Sequence, residues 1–559
     1  MQQLIECVPN FSEGRDMAVI KQITDEIEKV EGIRLLDVDP GKATNRTVVT
    51  FVGNPAAVVE AAFRAIKKAS EVIDMSKHRG EHPRMGATDV CPLVPVSGIT
   101  MEETVKYAKQ LAERVGKELK IPVYLYEYAA ASKERSNLSV IRSGEYEGLS
   151  KKILLSEWKP DYGPAEFNAR SGASVIGARD FLVAYNVNLN TTSVRRANSV
   201  AFDIREVGRV KTDEKTGAVL KNDTGETLRT PGKLKSVKAI GWYIEEYGIA
   251  QISINLTNIN VTPVHIAFEE CCKSAESRGM RVTGSELVGL IPLKALLDAG
   301  KYFLAKQKRS LGVSESELIK IAVKSLGLDD IAPFDVNKKI IEYLLRDDKQ
   351  NKLVKMTLGA FADETASESP APGGGSIAAY VGALGASLGT MVANLSSQKK
   401  GWEERWKEFS DWAELGQKLK QELLALVDED TNAFNKIMAG FALPKNTDEE
   451  KKLRTAAIQD ATKYAIEVPL KVMKTAHESL HVIKAMADNG NPNSVSDAGV
   501  GALCARTAVH GAYLNVQINT AGLKDELFKT SKLAEAKKIL DDSMALEKEI
   551  LETVTSKIK

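Results

Sequence analysis

The periodicity of this chain changes class near residue 330, and that change limits the folds open to it. Before it, short runs rich in β-branched and aromatic residues alternate with helical stretches. After Leu353 the apolar residues recur at three- and four-residue steps, and strand signals all but vanish. At 559 residues the chain is also too long for one core. We therefore expect an α+β region followed by an all-α region. The first region makes two passes of one kind. The first pass has strand Leu4–Pro9, helix Met17–Val30, and strands Ile33–Asp37 and Arg46–Val52. It continues with a helix opened by Asn54-Pro55, a loop insertion, a helix capped by the Thr100/Glu103 box, and strand Ile121–Tyr126. The second pass has strand Phe181–Leu189, helix Ser193–Ile204, and strands Val237–Ile244 and Ala250–Leu256. A helix from Thr262-Pro263 to Arg278 and strand Ser285–Ile291 complete it. The order predicts two tandem ferredoxin-like α/β subdomains, over 1–180 and 181–326, with a cleft between their sheets. A charged linker over 327–352 leads to a helical bundle over 353–559.

Charge narrows the partners. Lys plus Arg is 76 and Asp plus Glu is 75, a balance that argues against a nucleic-acid or membrane-surface protein. The five cysteines, Cys7, Cys91, Cys271, Cys272 and Cys504, are scattered without a C-x-x-C, so neither a disulfide framework nor a zinc ribbon is expected. The N-terminus lacks a basic segment followed by an apolar one, and no apolar run reads as long enough to span a bilayer. The cytoplasm is the expected address.

Two stretches concentrate chemistry. From Lys77, KHRGEHPRMGATDVCPLVPV holds two of the six histidines, His78 and His82, with Arg79, Arg84 and Asp89 on a backbone shaped by glycine and proline. Histidine is the side chain best suited to proton transfer near neutral pH. Ahead of it, Asp39 follows a strand in DVDPG, where it either orients a histidine or caps its own turn. In the helical region, SPAPGGGS over 369–376 precedes a long apolar helix. Gly373, Gly374, Gly375 and Ser376 would offer free backbone N–H groups to an anion, but no lysine completes a P-loop. Further on, Leu423, Leu426, Asp430, Ala433 and Ile437 form one helical stripe, which turns Asp430 inward. Asp428 falls with Leu424, Thr431 and Asn435 on a more polar face. A carboxylate on a buried stripe is a functional candidate. Asp497 is a second one, although Ser494 with Asp497 also reads as a capping pair. His477-Glu478-Ser479-Leu480-His481 satisfies H-E-x-x-H, but no downstream signature supplies a third ligand and the bundle needs that helix for its core; no metal is expected.

The segments CVPNFSEGRD, LLDVDPGKATNRTVVTFVG and GEHPRMGATDVCPLVP resemble the transferase half of formimidoyltransferase–cyclodeaminases, over about 2–326. TLGAFADETASESPAPGGGSIAAYVGALGASLG and NPNSVSDAGVGA resemble the cyclodeaminase half, also seen in stand-alone methenyl-folate cyclohydrolases, over about 353–559. The resemblance implies that His82 is the acid–base of the transferase, with His78 and Asp39 as the further candidates beside it. It implies a folate-binding loop made of Gly163, Pro164, Ala165, Glu166, Phe167, Asn168, Ala169, Arg170, Ser171 and Gly172. It implies an active aspartate in the second half, assigned to Asp430 with Asp428 and Asp497 as alternatives. The implied substrates are N-formimidoyl-L-glutamate and tetrahydrofolate, the latter polyglutamylated; for its anionic tail the lysine-rich stretches of the helical region offer Lys399, Lys400, Lys445 and Lys463, which otherwise read as solvated helix faces. The implied assembly is a homo-oligomer built from dimers. Two other readings stay open: glutamate formyl transfer with a cyclohydrolase, and a folate-binding protein with dead sites.

Overall fold

The computed structural model describes residues 3–42, 44–80, 82–213, 215–345 and 352–558. They form two compact units. The first comprises Met1–Ala295 and Leu326–Leu345, the second Leu296–Ser325 and Arg346–Lys559.

The first unit is mixed α/β. Its strands are β1 (Leu4–Cys7), β2 (Asn10–Phe11), β3 (Ile33–Gly41), β4 (Arg46–Gly53), β5 (Thr88–Ser97), β6 (Val123–Glu127), β7 (Ser174–Ala178), β8 (Val183–Leu189), β9 (Arg209–Val210), β10 (Arg229–Thr230), β11 (Val237–Ile244), β12 (Ile249–Leu256) and β13 (Val282–Val288). Its main helices are α1 (Met17–Glu28), α2 (Pro55–Val72), α3 (Met101–Arg114), α4 (Leu138–Ile141), α5 (Glu145–Lys152), α6 (Val194–Ile204) and α7 (Val264–Glu276). The caps follow the sequence signals. Asn54 accepts from the Ala57 amide ahead of Pro55, and Thr100 with Glu103 forms a full capping box.

In the first, seven-stranded sheet, β1 and β2 both lie between β4 and β5; β3 flanks β4, while β7 and β6 run parallel beyond β5. Helices α1 to α3 cover one face with Ile5, Cys7, Phe51, Ala61, Ile66 and Leu111 in the core. This sheet is wider than the sequence reading foresaw. Residues 88–97, read as part of a loop insertion, are β5 near its centre, and Ser174–Ala178 adds β7. Pro92 and Pro95 disguise β5, because proline donates no ladder bond. The ladder accommodates Pro92 by using its carbonyl, which accepts from the Val8 amide at 3.2 Å. The second sheet has the order β11-β12-β8-β13, all antiparallel, with α6 and α7 on one face.

The second unit is all helix among the described residues. It contains α8 (Leu293–Lys306) from Leu296 onward and α9 (Glu315–Leu326). Beyond the first unit's short α10 (Val336–Lys339) and α11 (Ile341–Leu344), it continues with α12 (Leu358–Thr365), α13 (Gly374–Ser397), α14 (Trp406–Ala442), α15 (Asp448–Asn489), α16 (Val495–Thr520) and α17 (Glu526–Lys557). Helix α13 packs on α14, α15 and α16, and α15 on α14 and α16, around Leu423, Val427, Met473, Ala476 and Val509. The sequence reading assigned 296–325 to the second α/β subdomain, but these residues group with the helices. The Leu311 amide donates to Ser410 at 2.9 Å and Asn394 to the Gly312 carbonyl at 2.9 Å. The expected linker splits likewise. Residues 327–345 stay with the first unit, where the Ser285 amide donates to Gly327 at 2.9 Å, and 346–351 lie outside the described residues. One further expectation is corrected. Helix α13 is long and apolar enough to cross a membrane, with mean hydropathy 1.5, but most of that stretch is buried in the bundle.

Candidate active sites

Strand pleat decides what the first unit can do. In β1, Ile5 and Cys7 enter the core beneath the helices, so Glu6 points to the opposite face. Val8 and Asn10 continue that face, β4 adds Arg46, Val48 and Thr50, and β3 adds Asp37 and Asp39. Ala184, Lys238, Asn255 and Val288 of the second sheet line the other wall. Together they enclose a cleft of about 820 Å³, the size of a small-molecule site.

His82 stands in this cleft, half-buried. Its Nδ1 lies 2.7 Å from the Pro83 carbonyl, and Arg46 Nη1 approaches to 2.6 Å of Nδ1 and 3.2 Å of Nε2. Burial first, then the charges of Arg46 and Arg142, push the imidazole down to about 4. It is therefore neutral at physiological pH, the form that accepts a proton. Arg46 is held by Asn10 Oδ1, at 2.9 Å from Nε and 2.6 Å from Nη2. The fully buried Asp89 joins the cluster. It accepts from Arg46 at 3.0 Å, from Arg142 Nη2 at 2.5 Å and from the Met85 amide at 3.0 Å.

The other first-unit candidates fare differently. Asp39 lines the cleft on β3, opposite Val48, without a hydrogen bond to His82 among the described residues. Desolvation raises its carboxyl, Lys339 offsets part of that, and Glu286 adds to it. The carboxylate tied to the histidine cluster is Asp89. His78 is buried between Asn45 and Arg84, its Nε2 donating to the Asn45 carbonyl at 2.9 Å and its Nδ1 accepting from Arg84 at 3.2 Å. None of residues 163–172 lines the cleft. They support the His82 segment from behind. Ser171 O accepts from the Ala87 amide at 2.8 Å, and Gly172, at φ +65, lies where a Cβ would meet Met85 O at 2.1 Å. Phe167 is partly exposed and packs on Tyr146 with ring centroids 5.4 Å apart.

Sequence reasoning named Asp89 without giving it a role and passed over Glu6, Arg46, Arg142 and Arg179. Glu6 had a legible signal, since it alternates with two apolar residues on a strand. It is 2% exposed, and burial raises its carboxyl to about 7, against the opposing charge of Arg179.

In the second unit, α13 and α14 run so close that Gly375 faces Asp430 across 55 residues of sequence, since the two numbers differ by that amount. A Cβ on Gly375 would stand 2.2 Å from Asp430 Oδ1. Ser376 Oγ donates to the Val427 carbonyl at 2.8 Å and lies 3.2 Å from Asp430 Oδ2. That hydroxyl carries one proton, shared between the Val427 carbonyl and the Asp430 carboxylate. Burial raises the Asp430 carboxyl, and the Ser376 hydroxyl and amide, which both donate to it, offset part of that. Gly373 caps α13 and Gly374 faces Asn515. Asp428 is not on a polar face as its stripe suggested. It is 7% exposed and accepts from the Leu353 and Val354 amides at 2.9 and 3.3 Å, which makes it an anchor for the chain entering the bundle. Asp497 sits in the first turn of α16, and Ser494 makes no side-chain cap there. His477 and His481 stack edge-on at 5.3 Å, and His477 Nδ1 lies 2.8 Å from Ser543 Oγ. No group of three or more potential metal ligands gathers among the described residues. Lys463 is paired with Asp525 at 2.7 Å, and Lys399 lies over the Trp402 ring.

Comparison with known proteins covers nearly the whole chain. Family models match it over residues 4–179 (formiminotransferase domain, N-terminal subdomain), 184–346 (formiminotransferase domain) and 357–538 (formiminotransferase-cyclodeaminase). It is 45% identical over 544 residues to the formimidoyltransferase-cyclodeaminase of Gallus gallus, covering 97% of each chain. It is 42% identical over 304 residues to the glutamate formimidoyltransferase of Streptococcus pyogenes serotype M1, which spans 54% of this chain and 94% of that protein. It is 41% identical over 202 residues to the methenyltetrahydrofolate cyclohydrolase of Methylorubrum extorquens, 36% of this chain and 97% of that protein.

Proposed function

The chain belongs to the formimidoyltransferase-cyclodeaminase family, and from that we infer that it is a bifunctional folate enzyme with one reaction in each unit. In the first, N5 of tetrahydrofolate bonds to the formimino carbon of N-formimidoyl-L-glutamate, and the bond from that carbon to the glutamate nitrogen breaks. The N5 proton must reach the departing glutamate. His82, neutral in the cleft and tied to Arg46, is the group that carries it. In the second, N10 bonds to the formimino carbon and ammonia departs, giving 5,10-methenyltetrahydrofolate. The departing nitrogen needs the N10 proton and one more. Asp430, whose carboxyl burial raises, supplies the second.

The observation that carries this reading is the separation of the two acid–base groups. Each has a shifted titration in its own unit, His82 downward and Asp430 upward. Gly373 to Ser376, at the start of α13, would meet the substrate beside Asp430. Residues 163–172 enter the folate site through their support of the His82 segment, and Asp39 acts from the cleft wall. The strand order of the second sheet, with two helices on one face, supports a ferredoxin-like second subdomain. Exposed Leu384, Met391 and Leu395 on α13, with Val500, Leu503 and Ile518 on α16, support assembly through dimers. A polyglutamylated folate, a cytoplasmic address and a chemistry without metal complete the proposal.

The test is separability. His82→Ala should lower formimino transfer roughly 10²–10⁴-fold and leave deamination of supplied 5-formimidoyltetrahydrofolate intact. Asp430→Asn should do the reverse. Both activities falling together in a folded His82→Ala protein would sink the assignment. Full deaminase activity in Asp430→Asn would move the role to Asp497, since Asp428 is occupied by two backbone amides. A formyl donor with a cyclohydrolase is the second reading, favoured by the cyclohydrolase relative over the helical unit. It requires that no ammonia be released.

A further inference from the structure

Of the charged groups around His82, Arg46 belongs to β4 and Asp89 to β5, but Arg142 directly follows α4, a helix of four residues. A single turn is unstable by itself, and its last carbonyls have no partner within the helix. Here the Arg142 amide closes the turn on the Leu138 carbonyl at 2.9 Å. One side chain takes the carbonyls that follow. Lys152 Nζ donates to Val140 O at 3.1 Å, to Ile141 O at 2.7 Å and to Ser143 O at 2.9 Å. An ammonium has three hydrogens, so these bonds use them all, and two of the carbonyls flank Arg142. Lys152 meets no carboxylate within 4.0 Å among the described residues. Burial first, then Arg135, hold its ammonium below the ordinary lysine value. A cation placed in this way serves the carbonyls of a helix C-terminus.

Both sides of this turn are tied to the first sheet. Lys152 lies over the Trp158 ring, 3.8 Å from its centroid, and the Trp158 carbonyl accepts from Tyr124 of β6 at 2.8 Å. On the other side Arg142 reaches Asp89, with Nη2 2.5 Å from Oδ2 and Nε 3.3 Å from Oδ1. Asp89 also accepts from Arg46 at 3.0 Å, and Arg46 Nη1 lies 2.6 Å from His82 Nδ1. Lys152 itself does not line the cleft. We propose that Lys152 is a positioning residue for the first reaction: it holds the turn that carries Arg142, and through Arg142 and Asp89 it fixes the Arg46 guanidinium on His82. The role rests on the reading of His82 as the acid–base of this unit. The rest of the segment has its own attachments. Ile141 and Leu149 are buried, the Tyr146 amide donates to the Arg84 carbonyl at 2.8 Å, and Arg84 pairs with Glu147 at 2.7 Å. Loss of Lys152 therefore loosens the turn without releasing the segment.

The test uses the full-length protein. Lys152→Met keeps the reach of the side chain and removes its donors. The measurements are kcat and KM of formimino transfer, cyclodeamination of supplied 5-formimidoyltetrahydrofolate, and the His82 titration by NMR of histidine-labelled protein. His82 is faced by Arg46 from β4, Asp89 from β5 and Arg142 from the end of α4, with the Pro83 carbonyl on its own segment. Once Arg142 withdraws, the imidazole should titrate above its wild-type value of about 4. Transfer kcat should fall roughly 10–100-fold, the scale of a misplaced catalytic group, with the KM of formimidoylglutamate changed less and cyclodeamination retained. Lys152→Arg keeps the charge, but its planar fork cannot aim three donors from one atom, so it should show the same two changes at smaller size. A lower urea midpoint in either folded variant, with the His82 titration and transfer kcat of wild type, would make Lys152 a structural residue only and overturn the proposal. An equal loss of both activities would overturn it as well. The NMR midpoint needs no turnover, so it separates these outcomes from a failure of the His82 reading, which undiminished transfer in His82→Ala would show.

Discussion

Asp89 is fully buried against Arg46 and Arg142, and its removal would leave two cations in the cleft wall without their counter-charge. Breaking such a cluster from one side typically costs about 3–5 kcal/mol, so Asp89→Asn should lower the urea midpoint markedly as well as impair transfer. An unchanged midpoint would show the cluster to be solvated. His82 should titrate with a midpoint near 4 in an NMR titration of the free protein, because burial and the two arginines disfavour the imidazolium. A midpoint near 6.5 would contradict that environment. Glu6 works with the opposite sign. Its folded carboxyl titrates at about 7 against 4.5 for the ordinary group, so the folded chain holds an extra proton between those values. The cost of ionising it is absent below about pH 4.5, grows through the window and is full above pH 7, where it reaches about 3 kcal/mol. Glu6→Gln should therefore gain stability over wild type as pH rises from 5 to 8, measured by denaturant unfolding at each pH. A gap that is flat with pH would refute the burial.

At the scale of elements, α13 and α14 make the second site by proximity alone. Gly382 lies against Leu423 and Gly416 against Thr390, and the same antiparallel approach brings Gly375 onto Asp430. Alanine at 375 would put a Cβ 2.2 Å from the carboxylate oxygen, so either the helices part or Asp430 turns away. Gly375→Ala should depress cyclodeamination by at least tenfold while formimino transfer in the other unit persists. Retained deaminase activity would show that Asp430 needs no such contact. Gly359, where an added Cβ meets nothing within 4 Å, supplies the control: alanine there should leave both activities in place.

The whole molecule divides where sequence class does not. Residues 296–325 pack with the helices, and residues 326–345 return to the α/β unit. A fragment 353–559 should therefore melt several degrees below a fragment 296–559, because it lacks the turn between α8 and α9, where Leu311 and Gly312 bond Ser410 and Asn394, and the ion pair of Lys301 with Glu414. Equal melting temperatures in calorimetry would make those helices dispensable to the bundle. The same crossing explains why the expected boundary at residue 326 follows composition rather than contact.

Local periodicity by itself determined the switch from α/β to helix, the caps at Asn54 and Thr100, and the inward turn of Asp430, because each depends on residues within a few positions of one another. The pleat of β1 likewise encoded the direction of Glu6, although only burial makes that direction consequential. Tertiary structure alone decided the rest. Pairing across distant segments made β5 a central strand despite its prolines, and it gathered Asn10, Arg46, Asp89 and Arg142 around His82. Asp428 and Asp430 differ by two residues, yet one anchors two backbone amides and the other faces a glycine. Charge compensation and desolvation are set by neighbours in space, and a sequence pattern carries no record of which distant group will become one.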